Sequence, residues 1–148
     1  MMDRIFRGKR IDNGEWGYGD LTHNNDGRTF INYWIENKIH EIQEVDAKTV
    51  GQYTNLEDCK GNKIFEGDIV KYQVDNDDCP FSNKNTKPII GKIFFSDFRA
   101  SFSVTAGRNG STAMNNDLFR YVRNDNRVEV IGNIYDNPEL LEVKQNDD

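Results

Sequence analysis

Short runs in which apolar and polar residues alternate, separated by turn residues, constrain the fold of this chain more than any other feature. Val70, Tyr72 and Val74 alternate with polar neighbours, which is the period of a β-strand with one buried face. Shortly before them, the segment DCKGN places Gly61 where a short hairpin loop needs a residue of positive φ. The pattern predicts a hairpin that leads into a half-buried strand.

Other segments show the same pattern. RIFRGKRIDNGEWGYGDL reads as a hairpin in which Asn13-Gly14 forms a tight two-residue turn. Runs rich in β-branched and aromatic residues predict further strands at 28–35, 89–95, 100–105 and 127–135.

Two segments are ambiguous, and the C-terminal end is helical. Ile35, Ile39 and Ile42 have a helical spacing, but β-branched residues dominate the apolar positions of 35–45, so we predict a strand there. LFRYV, residues 118–122, fits either a strand or a helical turn. Asn137 before Pro138 reads as an N-cap followed by the first residue of a short C-terminal helix.

These elements predict an all-β protein. The 148 residues are enough for one domain with its own core. We expect an N-terminal β-hairpin lobe over 1–48 and an SH3-like small β-barrel with a short terminal helix over 49–148. One continuous domain is the alternative.

The sequence indicates a cytoplasmic protein. The first ten residues, MMDRIFRGKR, lack the apolar stretch of a signal peptide, and no run approaches the roughly 20 apolar residues of a membrane span. Cys59 and Cys79 fit no zinc or redox spacing. We interpret them as free thiols in a reducing compartment. A disulfide between the two cysteines is the alternative.

Charge is unevenly distributed along the chain. The net charge is −6, which opposes binding to a phosphate backbone. Residues 81–110, in contrast, contain five basic side chains and one acidic side chain, with phenylalanines between them. Exposed aromatic rings beside cations can stack on single-stranded bases. The residues that would bind nucleic acid in this way are Lys92, Phe95, Arg99 and Arg108.

The phenylalanines of this segment also have a simpler interpretation. Phe94, Phe98 and Phe102 share parity and would line one inner face of a sheet if no irregularity intervenes. Phe95 has the opposite parity and is then the exposed ring.

The acid–glycine–acid step at Glu66, Gly67 and Asp68 suggests either chemistry or a turn. Two carboxylates could bind a metal ion or act as acid and base, but both histidines, His23 and His40, are distant in sequence. We interpret the step as a sheet corner at Gly67, with Asp68 bonding to backbone amides two residues further on. We expect both histidines at the surface and predict no catalytic residue, metal or cofactor.

No nucleotide-binding or hydrolase motif is present in the sequence. Trp16, Tyr18, Tyr33 and Trp34 are interpreted as core residues or cross-strand pairs, and any that are exposed would mark a protein interface.

Four segments, taken in order, resemble the YopX family of small phage and prophage proteins: FRGKR, WGYGDL, VGQYTNLEDCKGNKIFEGDIV and VIGNIYDNPELLE. The resemblance runs from Phe6 to Glu142, and residues 73–126 carry no matching motif. It implies a mostly-β fold and a phage or prophage origin, without a catalytic mechanism or functional residues. We therefore expect an accessory binding or regulatory protein that associates with itself or with a host or phage protein. Nucleic-acid binding through 81–110 is the alternative, and a small enzyme using Glu66 and Asp68 is the third hypothesis.

Overall fold

The computed structural model describes residues 4–73, 88–108, 115–123 and 125–142. The chain divides into two compact units, Met1–Asn55 (unit 1) and Leu56–Asp148 (unit 2). The described elements are mostly antiparallel strands, so the predicted all-β class is confirmed. Among the described residues, no helix has the length and apolar character needed to cross a membrane.

Unit 1 is built on antiparallel strands in the order β4-β3-β2-β1-β5, so that each strand up to β4 pairs with the one before it. A 3₁₀ turn over Ala47–Thr49 leads from β4 into β5, which runs past the end of unit 1. The strands are β1 (Phe6–Lys9), β2 (Trp16–His23), β3 (Thr29–Ile35), β4 (Lys38–Val45) and β5 (Gly51–Glu57).

The hairpin turns of unit 1 decide two of the predictions. The β1–β2 hairpin exists, but Arg10 N donates to Glu15 O at 2.8 Å, so the loop has four residues and not two. Within it Gly14 alone has a positive φ, and Asn13 does not. Residues 35–45 contain no helix. Ile35 ends β3, Glu36 and Asn37 form a tight turn with φ of 49° and 64°, and Lys38–Val45 is strand β4, so the predicted strand is confirmed from residue 38 onward.

The sheet of unit 1 curls around two buried aliphatic side chains, Ile31 and Val45. A bridge joins Arg10 to Val45, and Asp46 N donates to Lys9 O at 2.8 Å, so the end of β4 returns to the end of β1. Gly8 permits this approach, since a Cβ there would lie 3.0 Å from the Val45 side chain. A larger residue at this position would displace Val45 from the centre of the unit.

Unit 2 contains a five-stranded antiparallel sheet in the order β10-β9-β8-β7-β11. Among the described strands this order is open, with β10 and β11 at its two edges, so the expected SH3-like barrel is not seen as a closed barrel. The described helix and strands of unit 2 up to residue 133 are β6 (Lys63–Phe65), β7 (Asp68–Tyr72), β8 (Ile89–Ser96), β9 (Ser101–Thr105), β10 (Asn115–Asp117), α1 (Phe119–Val122) and β11 (Val128–Asn133).

The core of unit 2 lies under this sheet. The rings of Tyr72 and Tyr121 are 4.7 Å apart at its centre, and Tyr72 Oη donates to Thr105 O at 2.9 Å. The helical turn α1 carries Tyr121, which settles the ambiguity of residues 118–122 in favour of helix. The buried side chains of this core are Ile64, Val70, Tyr72, Ile93, Val104, Leu118, Tyr121 and Val128.

The predicted short C-terminal helix is present, but as a 3₁₀ helix and not an α-helix. It spans Pro138–Leu141, with the proline in its first turn. Asn137 does not cap it: its Oδ1 accepts from the backbone N–H of Asn133 at 3.2 Å and so closes the preceding turn instead.

Candidate functional site

The most unusual surface of the described residues is an exposed apolar patch on unit 1. We call Tyr18, Trp34, Ile39 and Ile42 the apolar face. Their side chains are 44%, 45%, 49% and 61% exposed. Large apolar side chains in a contiguous exposed group are typical of interaction sites.

The strand register places these four residues on one side of the sheet. Trp34 pairs directly with Ile39, while Ile42 pairs with Asn32, two residues before Trp34. Asn32 in turn pairs with Asp20, two residues beyond Tyr18. Cross-strand partners share a face, and so do residues two apart along a strand. The apolar face therefore extends across β2, β3 and β4.

An irregularity in β4 is what brings the two isoleucines together. Tyr33 pairs with Glu41 but Trp34 pairs with Ile39, so His40 is an extra residue, as in a β-bulge. Residues three apart normally point to opposite faces of a strand. Because of the bulge, Ile39 and Ile42 point to the same face.

An open cleft adjoins the apolar face. It has a volume of about 310 Å³ and is lined by Ile5, Tyr18, Gly19, Asp20, Tyr33 and Trp34. Gly19 is required beside it, since a Cβ at this position would collide with the backbone carbonyl of Asn32. The Asp20 carboxylate is the acidic group in a lining that is otherwise aromatic and aliphatic. The cleft can therefore accept an apolar side chain that has a hydrogen-bond donor or a positive charge nearby.

Next to the apolar face, two cations of β1 pack on an aromatic ring of β2. Arg7, the register partner of Tyr18, is buried, and its guanidinium lies 4.6 Å from the ring centre of Trp16. The ammonium of Lys9 lies 5.5 Å from the same ring centre. Trp16 therefore packs with cations, as the cross-strand interpretation allowed, whereas Tyr18, Tyr33 and Trp34 are exposed.

Ion pairs are formed by two other residues of β4, Glu41 and Glu44. Arg28 binds the Glu44 carboxylate at 2.8 Å, and this hydrogen bond is the main reason that the pKa of Glu44 lies below its ordinary value. Arg10 bridges Asp12 and Glu41, both at 2.9 Å. The apolar face thus ends at the Arg28–Glu44 ion pair, two residues beyond Ile42, whereas Glu41 pairs with Tyr33 on the other face of β4.

The four residues predicted to bind nucleic acid are all in unit 2, but their described contacts lead to different places. Lys92 contacts Thr105 Oγ1 at 3.0 Å through its backbone N–H, which says nothing of its ammonium group, and the Arg108 guanidinium donates to Glu142 O at 3.4 Å. Arg99 is held on Asn115 by two hydrogen bonds, at 3.0 and 3.2 Å. Phe95 is 44% exposed, as expected, and contacts Phe102 edge to face. Residues 81–87 and 109–110 of the same segment lie outside the described residues.

The expected parity of the phenylalanines is wrong. Ser96 pairs with Ser101, so β8 ends and a tight turn over residues 97–100 follows, with Ala100 at a φ of 53°. This turn leaves Phe98 98% exposed instead of buried. Phe95 faces Phe102 across the hairpin, so these two rings share a face.

The acid–glycine–acid step is a turn. Gly67 has a φ of 89° and its N–H donates to Ile93 O at 2.9 Å. Asp68 is 2% exposed, and its carboxylate accepts from Phe65 N at 2.7 Å, three residues before it and not two residues after it. Within the described part of the chain, no group of three or more His, Cys, Asp or Glu side chains is placed to hold a metal ion.

Both histidines are exposed, as expected. His23 contacts Thr29 Oγ1 at 3.2 Å, and the ring of His40 lies 5.9 Å from that of Tyr33. Cys59 is an exposed free thiol, and Cys79 lies outside the described residues. Sequence reasoning did not assign Ile39 and Ile42 to a surface, and their helical spacing was the signal that they share a face.

Comparisons with known proteins place the chain in a family. The profile described as YopX protein matches residues 5–142. The crystal structure of protein yopX from Bacillus subtilis is similar at a TM-score of 0.56 and 21% identity, covering 98% of this chain and 100% of that one. The crystal structure of protein EF1440 from Enterococcus faecalis is similar at a TM-score of 0.53 and 22% identity, covering 96% of this chain and 100% of that one. No curated protein matches. The profile match covers nearly the whole chain, and the protein belongs to the YopX family.

Proposed function

We propose that this protein is a phage- or prophage-encoded accessory protein that acts in the bacterial cytoplasm through protein–protein contacts made by the apolar face of unit 1. The observation that supports the proposal is the exposure of Trp34 and Tyr18 beside a cleft with one acidic group. Tryptophan and tyrosine contribute most strongly to binding when a partner excludes water from them.

The composition and the family agree with this proposal. The net charge of −6 favours protein partners over nucleic acid for the chain as a whole. The YopX family is not a known enzyme family. The Glu66–Asp68 step, the acidic pair for which an enzyme was considered, uses Asp68 to close a turn.

Affinity capture from a phage-infected host lysate tests the proposal. The baits are the wild-type protein, a Tyr18→Ser/Trp34→Ser double variant and an Ile11→Ser control. Ile11 is a matched control because it is 62% exposed in the β1–β2 loop of the same unit. Circular dichroism of each bait establishes that it is folded.

The proposal predicts a protein partner that survives nuclease treatment, is captured by the wild-type and Ile11→Ser baits, and is lost from the double variant. A loss of at least tenfold is expected, since hot-spot aromatics commonly contribute about 2 kcal/mol or more each. If all three baits capture the same proteins in the same amounts, the apolar face is not the binding surface.

A second candidate function is nucleic-acid binding by the β8–β9 hairpin. The observation that favours it is the 98% exposure of Phe98, next to Arg99 and on the same hairpin as the half-exposed Phe95. An exposed ring and a neighbouring cation are suited to stacking on an unpaired base.

This alternative predicts that a fluorescent single-stranded oligonucleotide binds with an affinity that falls steeply as salt increases. Lys92→Glu or Arg99→Glu should weaken binding and reduce the salt dependence, and Phe98→Ser should weaken it with the salt dependence retained. Binding that is absent, or that does not respond to salt, excludes this function.

A further inference from the structure

We propose that the partner of the apolar face is a second copy of this chain, which pairs antiparallel with strand β4 so that Ile39 of each copy faces Ile42 of the other. The inference rests on the proposed function, because it names the partner for the same surface. It concerns an edge strand, and unpaired edges of sheets are templates for pairing with another chain.

Strand β4 has an open edge over most of its length. It is the last strand of its sheet, and within the described residues its pairing partner from Lys38 to Gln43 is β3 alone. At the far end the edge is already used, since Ile11 N donates to Glu44 O at 3.0 Å and Arg10 bridges to Val45. A second strand can therefore add along residues 38–43.

The sequence of this edge is complementary to itself. When two copies of KIHEIQ run antiparallel about a twofold axis between His40 and Glu41, Ile39 lies opposite Ile42 of the second copy. His40 then lies opposite Glu41 of the second copy, whose carboxylate also binds Arg10 of its own chain at 2.9 Å, and the symmetry repeats both pairs. Apolar pairs and opposite polar pairs of this kind stabilise neighbouring strands.

The bulge makes both sets of pairs consistent with the faces of the sheet. Ile39 and Ile42 lie on the apolar face. Glu41 pairs with Tyr33, and His40 contacts the ring of Tyr33, so these two polar residues lie together on the other face. A twofold axis perpendicular to the sheet keeps each face on its own side, so the dimer gathers four isoleucines between the two Trp34 side chains.

Two other registers, with the axis through Glu41 or through Ile42, are less favourable. An axis through Glu41 would place the two Glu41 carboxylates opposite each other, and like charges in that position are destabilising. An axis through Ile42 would need the edge at Glu44 and Val45, which β1 and the following loop already use. Because the whole chain carries a charge of −6, two copies repel at long range, and the apolar contact must supply the attraction.

Disulfide trapping tests the register. Cys59 and Cys79 are replaced by Ser, and one chain then carries Ile39→Cys and another, with a mass tag, carries Ile42→Cys. Opposite Cβ atoms in an antiparallel pair are about 4.5–5.5 Å apart, close to the spacing that a disulfide bridges after small adjustment. Mixing the two chains under mild oxidation is expected to give several-fold more tagged–untagged dimer than either chain gives with itself.

Sedimentation velocity provides the second readout. The cysteine-free protein should move from 17.2 kDa towards twice that mass as its concentration rises. Ile42→Lys should return it to the monomer mass, and Phe119→Lys, a change at a 54% exposed apolar residue of α1 in unit 2, should not.

The register is overturned if the mixture forms no more disulfide dimer than each chain alone. The dimer itself is overturned if the mass stays at 17.2 kDa at every concentration. In that second case, a captured partner that depends on Tyr18 and Trp34 would still support the proposed function with a different protein in the same place.

Discussion

Asp58 holds together two parts of unit 2 that are distant in sequence, and replacing it by alanine should destabilise the protein substantially. The residue is 3% exposed. Its Oδ1 accepts from the backbone N–H groups of Lys60 and Asn62 at 3.0 and 2.8 Å. Its Oδ2 accepts from Val130 N at 3.0 Å and from Asn62 Nδ2 at 3.2 Å. The carboxylate thus joins the hairpin loop after β5 to strand β11.

The size of the stability loss depends on whether each N–H donor still has a hydrogen-bond acceptor after Asp58 is replaced. A hydrogen bond to a charged group contributes about 1.5–3 kcal/mol, and neighbouring bonds are not additive. Lys60 and Asn62 lie in an exposed loop, where water can replace the lost acceptor. Val130 lies at the irregularity in the β7–β11 pairing, so its N–H loses its partner inside the sheet. We expect Asp58→Ala to lower the free energy of unfolding by about 3 kcal/mol.

Urea unfolding followed by far-ultraviolet circular dichroism measures this change. Asp26→Ala is the matched control, since the Asp26 carboxylate also accepts a backbone N–H, from Arg28 at 3.0 Å, but is exposed. The control should change stability by no more than about 0.5 kcal/mol. If Asp58→Ala is also within that range, the hydrogen-bonded carboxylate is not what stabilises this part of the fold.

Three further predictions concern pH and packing. Burial would raise the pKa of Asp58, but hydrogen bonds from Val130 and Asn62 outweigh the effect of burial and leave the pKa of the folded protein below 3.8. The stability advantage of wild type over Asp58→Asn should therefore be constant above pH 3.8 and shrink as the pH falls through the pKa of the folded state. Urea unfolding at several pH values measures this advantage. Gly91→Ala should lower the free energy of unfolding in urea by about 3 kcal/mol, because a Cβ there collides with the Thr105 carbonyl. Gly14→Ala, where the Cβ meets open space at a φ of 71°, should lower it by about 1 kcal/mol. Equal decreases for the two variants would contradict this prediction. Burial raises the pKa of Tyr72 above 10.0, so the free energy of unfolding should decrease as the pH rises past that value. When absorbance is followed, at least one tyrosine should ionise only on unfolding; complete ionisation of the folded protein would refute this prediction.

Local signals in the sequence predicted the fold class and several turns. Gly61 has the positive φ expected of it, at 83°, because the hairpin loop of DCKGN leaves little choice of geometry. Strand β7 and its alternation were predictable for the same reason, although Val74 lies outside the described residues. These features depend on a few adjacent residues, so a single sequence contains the information.

Features that depend on pairing with another segment were not predictable. The turn at residues 97–100 contains no glycine, and Ala100 takes its positive φ, so nothing in the sequence indicated that the parity of the phenylalanines would break there. Asn137 and Asp68 were assigned common local roles, but each bonds to a backbone N–H that precedes it in the chain. The apolar residues of a sheet can be listed from sequence, but which of them are exposed depends on what covers each face.

The spacing of Ile39 and Ile42 acquires its meaning from the structure. In a regular strand, residues three apart would lie on opposite faces, and one isoleucine would be buried with the core. The bulge at His40 instead leaves both exposed and on one face, next to Trp34. Bulges on edge strands usually hinder pairing with other chains, but this one aligns two large apolar side chains along an open edge. Removing the extra residue should leave Ile39 and Ile42 two apart on one face of a regular strand, with β4 still paired to β3. The axis that pairs the two isoleucines would then pass through Glu41 and place the two Glu41 carboxylates opposite each other. A His40 deletion that folds but no longer associates would show that association needs His40 opposite Glu41, and one that still associates would show that the apolar edge alone is sufficient.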